Sequence, residues 1–277
     1  MSFRNTIEVQ TGVVIVISLL ALSATAQDKK EFTYTVGPKA VVSITNNYGP
    51  ITVKPSGSRQ VIVEAISHSD AVSLVNEQHA DRIELRSVSS RQGTNQVEYA
   101  VLVPADAFVS LRSSDGTLRA QGLRGDVILE AAAASVEVTD ISDAHLHVRT
   151  LSGPITLTDI RDSHLDIHSI RGDVKLRNVT GPSVEVNSGS GQISYEGDPG
   201  RTGEYLLTSH SGDLDISIPA NAWVNIKARS VQGKSDPDFP ATSSFSPTGN
   251  LLLKPGMVTG SRFELRSFRG KIHLKRP

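Results

Sequence analysis

Two hexapeptides hold the densest set of groups able to do chemistry: Asp140-Ile-Ser-Asp143-Ala-His145 and Asp159-Ile-Arg-Asp162-Ser-His164, set 19 residues apart. If 19 residues is one repeat of the fold, Asp140/Asp159, Asp143/Asp162 and His145/His164 become neighbouring pairs. Four carboxylates and two imidazoles would then offer mixed O and N ligands to a divalent cation. A second reading needs no ion. Asp is favoured at turns because its side chain bonds nearby backbone amides, and one repeat further on these places hold Asn178, Thr180 and Ser183. The ligand set thins, so the sequence favours a solvated turn and leaves metal binding as the candidate chemistry to be tested.

Other motifs carry less. Arg124-Gly125-Asp126 and Arg171-Gly172-Asp173 suggest a host-receptor ligand, yet Gly is required at bends and Arg and Asp are ordinary exposed neighbours. His147 and His168 alternate with apolar positions and therefore point outward, as surface residues. No Gly-x-Ser-x-Gly elbow joins a strand to a helix, since Gly189-Ser190-Gly191 belongs to the repeat. Without helical periodicity there is also no helix to carry a phosphate-cradling loop. The sequence names no catalytic residue and no cofactor.

Composition excludes further classes. With 0 Cys, disulfides, catalytic thiols and thiolate metal sites are ruled out together. The balance of 28 basic against 29 acidic residues leaves no electrostatic footprint for nucleic acid or anionic lipid. An aromatic content of 5% argues against base-stacking platforms and aromatic-lined sugar clefts.

What must position these groups is a repeat: apolar-x-apolar-x-small-x-x-Gly-x-apolar-x-apolar. It runs through Val109 to Ala120, Val127 to Val138, Leu146 to Leu157 and Leu165 to Leu176, with further copies centred on Gly191, Gly212, Gly233 and Gly270 and an early one on Gly49. From Gly116 to Gly212 the steps are 18, 19, 19, 19 and 21 residues, with Ala134 once in the Gly slot. Period-two alternation on both sides of the Gly makes each repeat two short strands. Glycine at the bend is expected to supply φ > 0, and a second bend is expected around Leu123, Ile141, Ile160 and Val179. One strand pair cannot bury its apolar face alone, so copies must stack. The expected fold is all-β, a parallel β-solenoid with an N-terminal β cap, right-handed by the crossover rule.

A column of small residues three places before the Gly supports stacking: Ser113, Ala131, Thr150, Ser169, Ser188, Ser209, Ser230 and Ser267, with Asn46 early on. Hydrogen bonds along the stack and a fit to a tight corner are expected from it. Residues 27–108 read as ordinary strands with hairpin turns, forming the cap. Residues 109–277 read as the solenoid, with an irregular insertion at 234–262 from which Phe263 to Leu274 returns as the final rung. Residues 1–26 read as a signal peptide: Arg4, an apolar run from Val13 to Leu22, then Ala24-Thr25-Ala26. That run is half the length a membrane-crossing helix needs, so no integral membrane span is expected after cleavage.

The Tyr48-Gly49-Pro50-Ile51 turn, the Val97 to Pro104 strand, the Ser-x-x-Gly-x-Ile ladder and the closing pair Ala228 to Gly233 and Leu265 to Gly270 resemble a family of uncharacterised bacterial β-strand-repeat proteins, labelled "putative adhesin". The resemblance implies a β-solenoid in the cell envelope and supplies no catalytic residue. Together these readings lead to an exported, non-enzymatic binding, adhesin-like or structural module. It would lie in the periplasm, at the outer-membrane surface or outside the cell, its partner an envelope protein or a polysaccharide. The alternatives are a carbohydrate-active β-helix enzyme and a periplasmic partner in envelope-stress sensing.

Overall fold

The computed structural model describes residues 28–89, 95–233, 235–237, 243–245, 250–253 and 260–275, the three short pieces between 235 and 253 by their backbone only. The segment expected to direct export lies outside the described residues, as does much of the insertion expected at 234–262. Every regular element among the described residues is a strand.

The first seven are β1 (Asp28–Thr35), β2 (Val41–Tyr48), β3 (Ile51–Ser56), β4 (Gln60–Ser67), β5 (Val72–His79), β6 (Arg82–Ser89) and β7 (Val97–Pro104). Then come six two-strand rungs: β8 (Phe108–Asp115) with β9 (Thr117–Gln121), β10 (Val127–Ala131) with β11 (Ser135–Ser142), and β12 (His145–Thr150) with β13 (Ile155–Arg161). They continue as β14 (His164–Ser169) with β15 (Val174–Val179), β16 (Ser183–Ser188) with β17 (Ile193–Glu196), and β18 (Glu204–Ser209) with β19 (Leu214–Ser217). Last are β20 (Val224–Ser230), β21 (Ser235–Pro237), β22 (Ser243–Phe245), β23 (Asn250–Leu253), β24 (Ser261–Ser267) and β25 (Ile272–Lys275).

The two strands of a rung belong to different sheets, one of 12 strands and one of 13, and each strand pairs in parallel with its counterparts in the adjacent rungs. Val127, Leu146, Leu165 and Val184 form one column and Leu129, Val148, Ile167 and Val186 the next, all buried. This is the register that the apolar alternation requires, because a slip of one residue would turn every column to solvent. Inward residues of both sheets join one continuous apolar core. The architecture is that of a β-solenoid with two parallel-rich sheets.

Three details differ from the sequence reading. The repeat glycines Gly153, Gly172, Gly191 and Gly212 are not in the left-handed region, although Gly49 and Gly116 are, at φ of 106° and 125°. What excludes a side chain at the four is the backbone of the rung before: a Cβ would run into the carbonyl oxygen of the preceding residue in the column. Close approach, not backbone freedom, keeps the slot glycine. The positive φ falls instead at the second bend, on Asp140, Asp143, Asp159, Asp162 and Asn178.

The hydroxyl column fits the tight corner, as expected, but its hydrogen bonds run otherwise. Most of its hydrogen bonds close the corner within a rung: the Oγ of Ser169 donates to Gly172 O at 2.6 Å and that of Ser188 to Gly191 O at 2.8 Å, while Gly212 N donates to Ser209 Oγ at 2.9 Å. Each satisfies a buried polar atom at a tight turn.

The third difference is the order of the ends. Strands β2 and β3 are not hairpin partners of their chain neighbours but pair in parallel with β8 and β9 on one side and with β6 and β7 on the other. Antiparallel pairing is confined near this end to β1–β4, β4–β7 and β5–β6. At the far end β24 lies between β18 and β20, and β25 between β19 and β21. The last rung in sequence is therefore an interior rung in space.

Candidate functional site

Where the strands of the 13-stranded sheet run into the Gly bend, the corner leaves an open groove along the stack, crossing the ends of β2, β8, β10, β12, β14 and β16. Its floor is the small-residue column, Ser113, Ala131, Thr150, Ser169 and Ser188. One wall is the outward row four places before the Gly: Arg112, Glu130, Arg149, His168 and Asn187. The opposite lip is the slot just after the floor residue and includes Ala132, Leu151 and Ile170. Leu151 and Ile170 are 43% and 56% exposed, side chains the repeat could have made polar without loss to the core.

The wall is only partly neutralised. Arg112 Nε bonds Glu130 Oε2 at 2.8 Å, whereas Arg149 makes no ion pair among the described residues. Beside the groove, Asp166 bridges two imidazoles, with His147 Nδ1 at 2.8 Å from one oxygen and His168 Nε2 at 2.9 Å from the other. The reason is the register: His147 faces Asp166 across adjacent rungs, and His168 lies two residues on from Asp166 along its own strand.

The two hexapeptides stack as their spacing requires, Ile141 beside Ile160 and His145 beside His164. The rings of His145 and His164 are stacked, 5.0 Å apart and 16° from parallel. Two of the four hexapeptide carboxylates have separate partners. Asp140 Oδ1 lies 3.3 Å from the Arg161 guanidinium and Asp159 Oδ1 accepts from Asn178 Nδ2 at 3.0 Å. His145 receives Asp126, outside the hexapeptides, at 3.0 Å on both its backbone N and its Nδ1. Asp140, Asp143, Asp159 and Asp162 all adopt positive φ, a conformation Asp and Asn tolerate better than most residues. Among the described residues, no group of three or more His, Asp or Glu side chains is arranged to hold one metal ion.

The groove was not legible in the sequence. Its signal was present as an irregularity, the large apolar residues Leu151 and Ile170 in a slot whose other members along the groove are Asn47, Ser114, Ala132 and Gly189. Only the stack shows that these places share a corner. His147 and His168 do lie outward, as the alternation required.

No helix among the described residues is long and apolar enough to cross a membrane. None of the curated proteins matches the chain. Two solved structures resemble it at 12% identity: a "putative cell adhesion protein" from Clostridium sporogenes, over 90% of this chain and 100% of that one with a TM-score of 0.24, and a "putative adhesin" from Bacteroides fragilis, over 91% and 99% with a TM-score of 0.43. The family model of Toastrack DUF4097 matches residues 41–248, from the first parallel strand to just beyond β22. The stacked rungs and this match together place the chain in the Toastrack DUF4097 family.

Proposed function

We propose that the chain is exported by residues 1–26 and serves in the cell envelope as a non-enzymatic binding module of the adhesin-like or structural kind. The observation that carries this reading is the groove crossing six strands. A surface that repeats floor, wall and lip from rung to rung offers many weak, similar contacts, whose avidity grows with the length engaged. Function is argued from such a site and not from the fold alone. In this reading residues 27–108 form the N-terminal cap of a right-handed solenoid over 109–277, interrupted at 234–262, with β1, β4 and β5 shielding edges that would otherwise pair with other chains.

Co-sedimentation of the purified mature chain with isolated bacterial envelopes tests the reading, against a Leu151→Asp, Ile170→Asp double variant whose fold is checked by circular dichroism. The parent should sediment and the variant should remain in solution. Equal sedimentation of both would overturn the groove as the binding surface, and release of new reducing ends from envelope polysaccharide by the parent would overturn the non-enzymatic reading. Protease treatment of intact cells checks location, since a surface-exposed chain is cut and a periplasmic one is spared.

A further inference from the structure

The groove has three properties that together select an occupant. It runs perpendicular to the strands, so its occupant crosses rungs and does not extend a sheet. The backbone along it is already paired: Ala132 N, Leu151 N, Ile170 N and Gly189 N each donate to a carbonyl of the preceding rung, at 2.9 to 3.1 Å. An extended peptide gains affinity by adding to a free sheet edge, and this corner offers it no ladder donors. A polymer that bonds through pendant groups to side chains loses nothing there.

The second property is periodicity. The rungs repeat every 4.8 Å or so, close to the length of one pyranose unit. A linear sugar chain lying along the axis therefore meets a small floor residue and a wall residue at each step, and Leu151 and Ile170 on the lip suit the apolar face of a ring.

The third is charge. The groove lining holds Arg112, Arg149, Glu130 and His168, and with Glu130 engaged by Arg112, Arg149 is left to bind an anion. Around Arg149 the packing places Glu130 on β10, His147 on its own strand and His168 on β14, and both imidazoles are engaged by Asp166. At the far end of the strands, His145 and His164 sit beside Asp126, Asp143 and Asp162 and away from the groove.

We propose that this groove binds a linear acidic polysaccharide along the stack axis, with Arg149 engaging its carboxylates and Leu151 and Ile170 supporting its rings. The proposal rests on the binding-module reading and specifies its ligand class.

The test measures binding of alginate oligomers, whose uronate carboxylates are ionised at neutral pH, and of neutral dextran oligomers of equal length by calorimetry at pH 7.5. Alginate is expected to bind and to weaken with added salt, with dextran at least tenfold weaker. Arg149→Ala should lose at least tenfold in affinity. Arg177→Ala, on the other sheet, should bind as the parent does. Equal affinity for dextran, or parental affinity in Arg149→Ala, would overturn the proposal. If neither oligomer binds while the parent still sediments with envelopes through Leu151 and Ile170, the ligand class is wrong and the binding-module reading survives. If sedimentation fails as well, both fall.

Discussion

The carbonyl oxygen of Gly153 stands where a Cβ on Gly172 would have to go. The same relation repeats up the column, with Gly172 over Gly191 and Gly191 over Gly212. Gly172→Ala must therefore push two rungs apart at their tightest corner, and we expect it to cost about 3 kcal/mol. Gly57, with nothing within 4 Å of its added Cβ, is the control: Gly57→Ala should change stability by less than about 0.5 kcal/mol. Urea denaturation of the two variants checks the contrast, and similar midpoints would mean that the rungs can separate at the corner without loss.

Ile167 is fully buried between Val148 and Val186. Ile167→Asp places an unpaired carboxylate in that column and should cost about 4 kcal/mol or more. Thermal melting should fall by roughly 10 °C or the chain should fail to fold. An unchanged melting temperature would mean that the column faces water and the register is wrong by one residue.

The hexapeptide carboxylates test the metal chemistry read from the sequence. We expect melting curves with calcium, with zinc and with a chelator to superimpose. Asp143→Asn, Asp162→Asn should stabilise slightly by relieving repulsion between rungs, since Asn accepts the same positive φ. Asp162→Val, β-branched at φ 49°, should cost about 1–2 kcal/mol. A melting temperature raised by a cation and returned to baseline in the Asn double variant would establish a metal site instead.

Alkali should attack the aromatic layer where Tyr195, Tyr205 and Phe263 pack on successive rungs. Burial pushes the Tyr205 phenol up to about 12 and is the main cause; Tyr195 is raised further, also chiefly by burial. The neutral phenol is the form that packs. Its contribution is thus complete below pH 10 or so, the ordinary tyrosine value, and is lost as pH rises towards 12. Near-ultraviolet circular dichroism should show cooperative unfolding in that window. Tyr205→Phe should move the midpoint to higher pH while costing about 1 kcal/mol at neutral pH, because the hydroxyl bonds Pro199 O at 3.0 Å and Val179 O at 3.3 Å.

The repeat spacing and the apolar alternation determined the rungs, their parallel pairing and the identity of both core columns, because a parallel stack joins equivalent positions and period-two burial admits one register. The small-residue column and the outward direction of His147 and His168 were legible for the same reason. Sequence also marked the recurring glycines, but not why they recur: the oxygen that excludes a Cβ at Gly172 belongs to Gly153, one rung away.

The order of the ends was decided by tertiary structure alone. Strand β24 carries the same pattern as β18 and β20, so local preference cannot say which pair it separates; only the pairing in the folded chain places it between these two. The groove belongs to the same class. Arg149, His168, Leu151 and Ile170 lie on two repeats and in two slots of each, and nothing in a linear pattern reveals that a corner brings them to one surface. Its charge balance follows from pairing as well, because Glu130 has Arg112 and Arg149 as equivalent neighbours in register and the fold gives it to Arg112. Repetition fixes which residues are neighbours. Three-dimensional packing fixes which of those neighbours are already engaged and which remain open to a ligand.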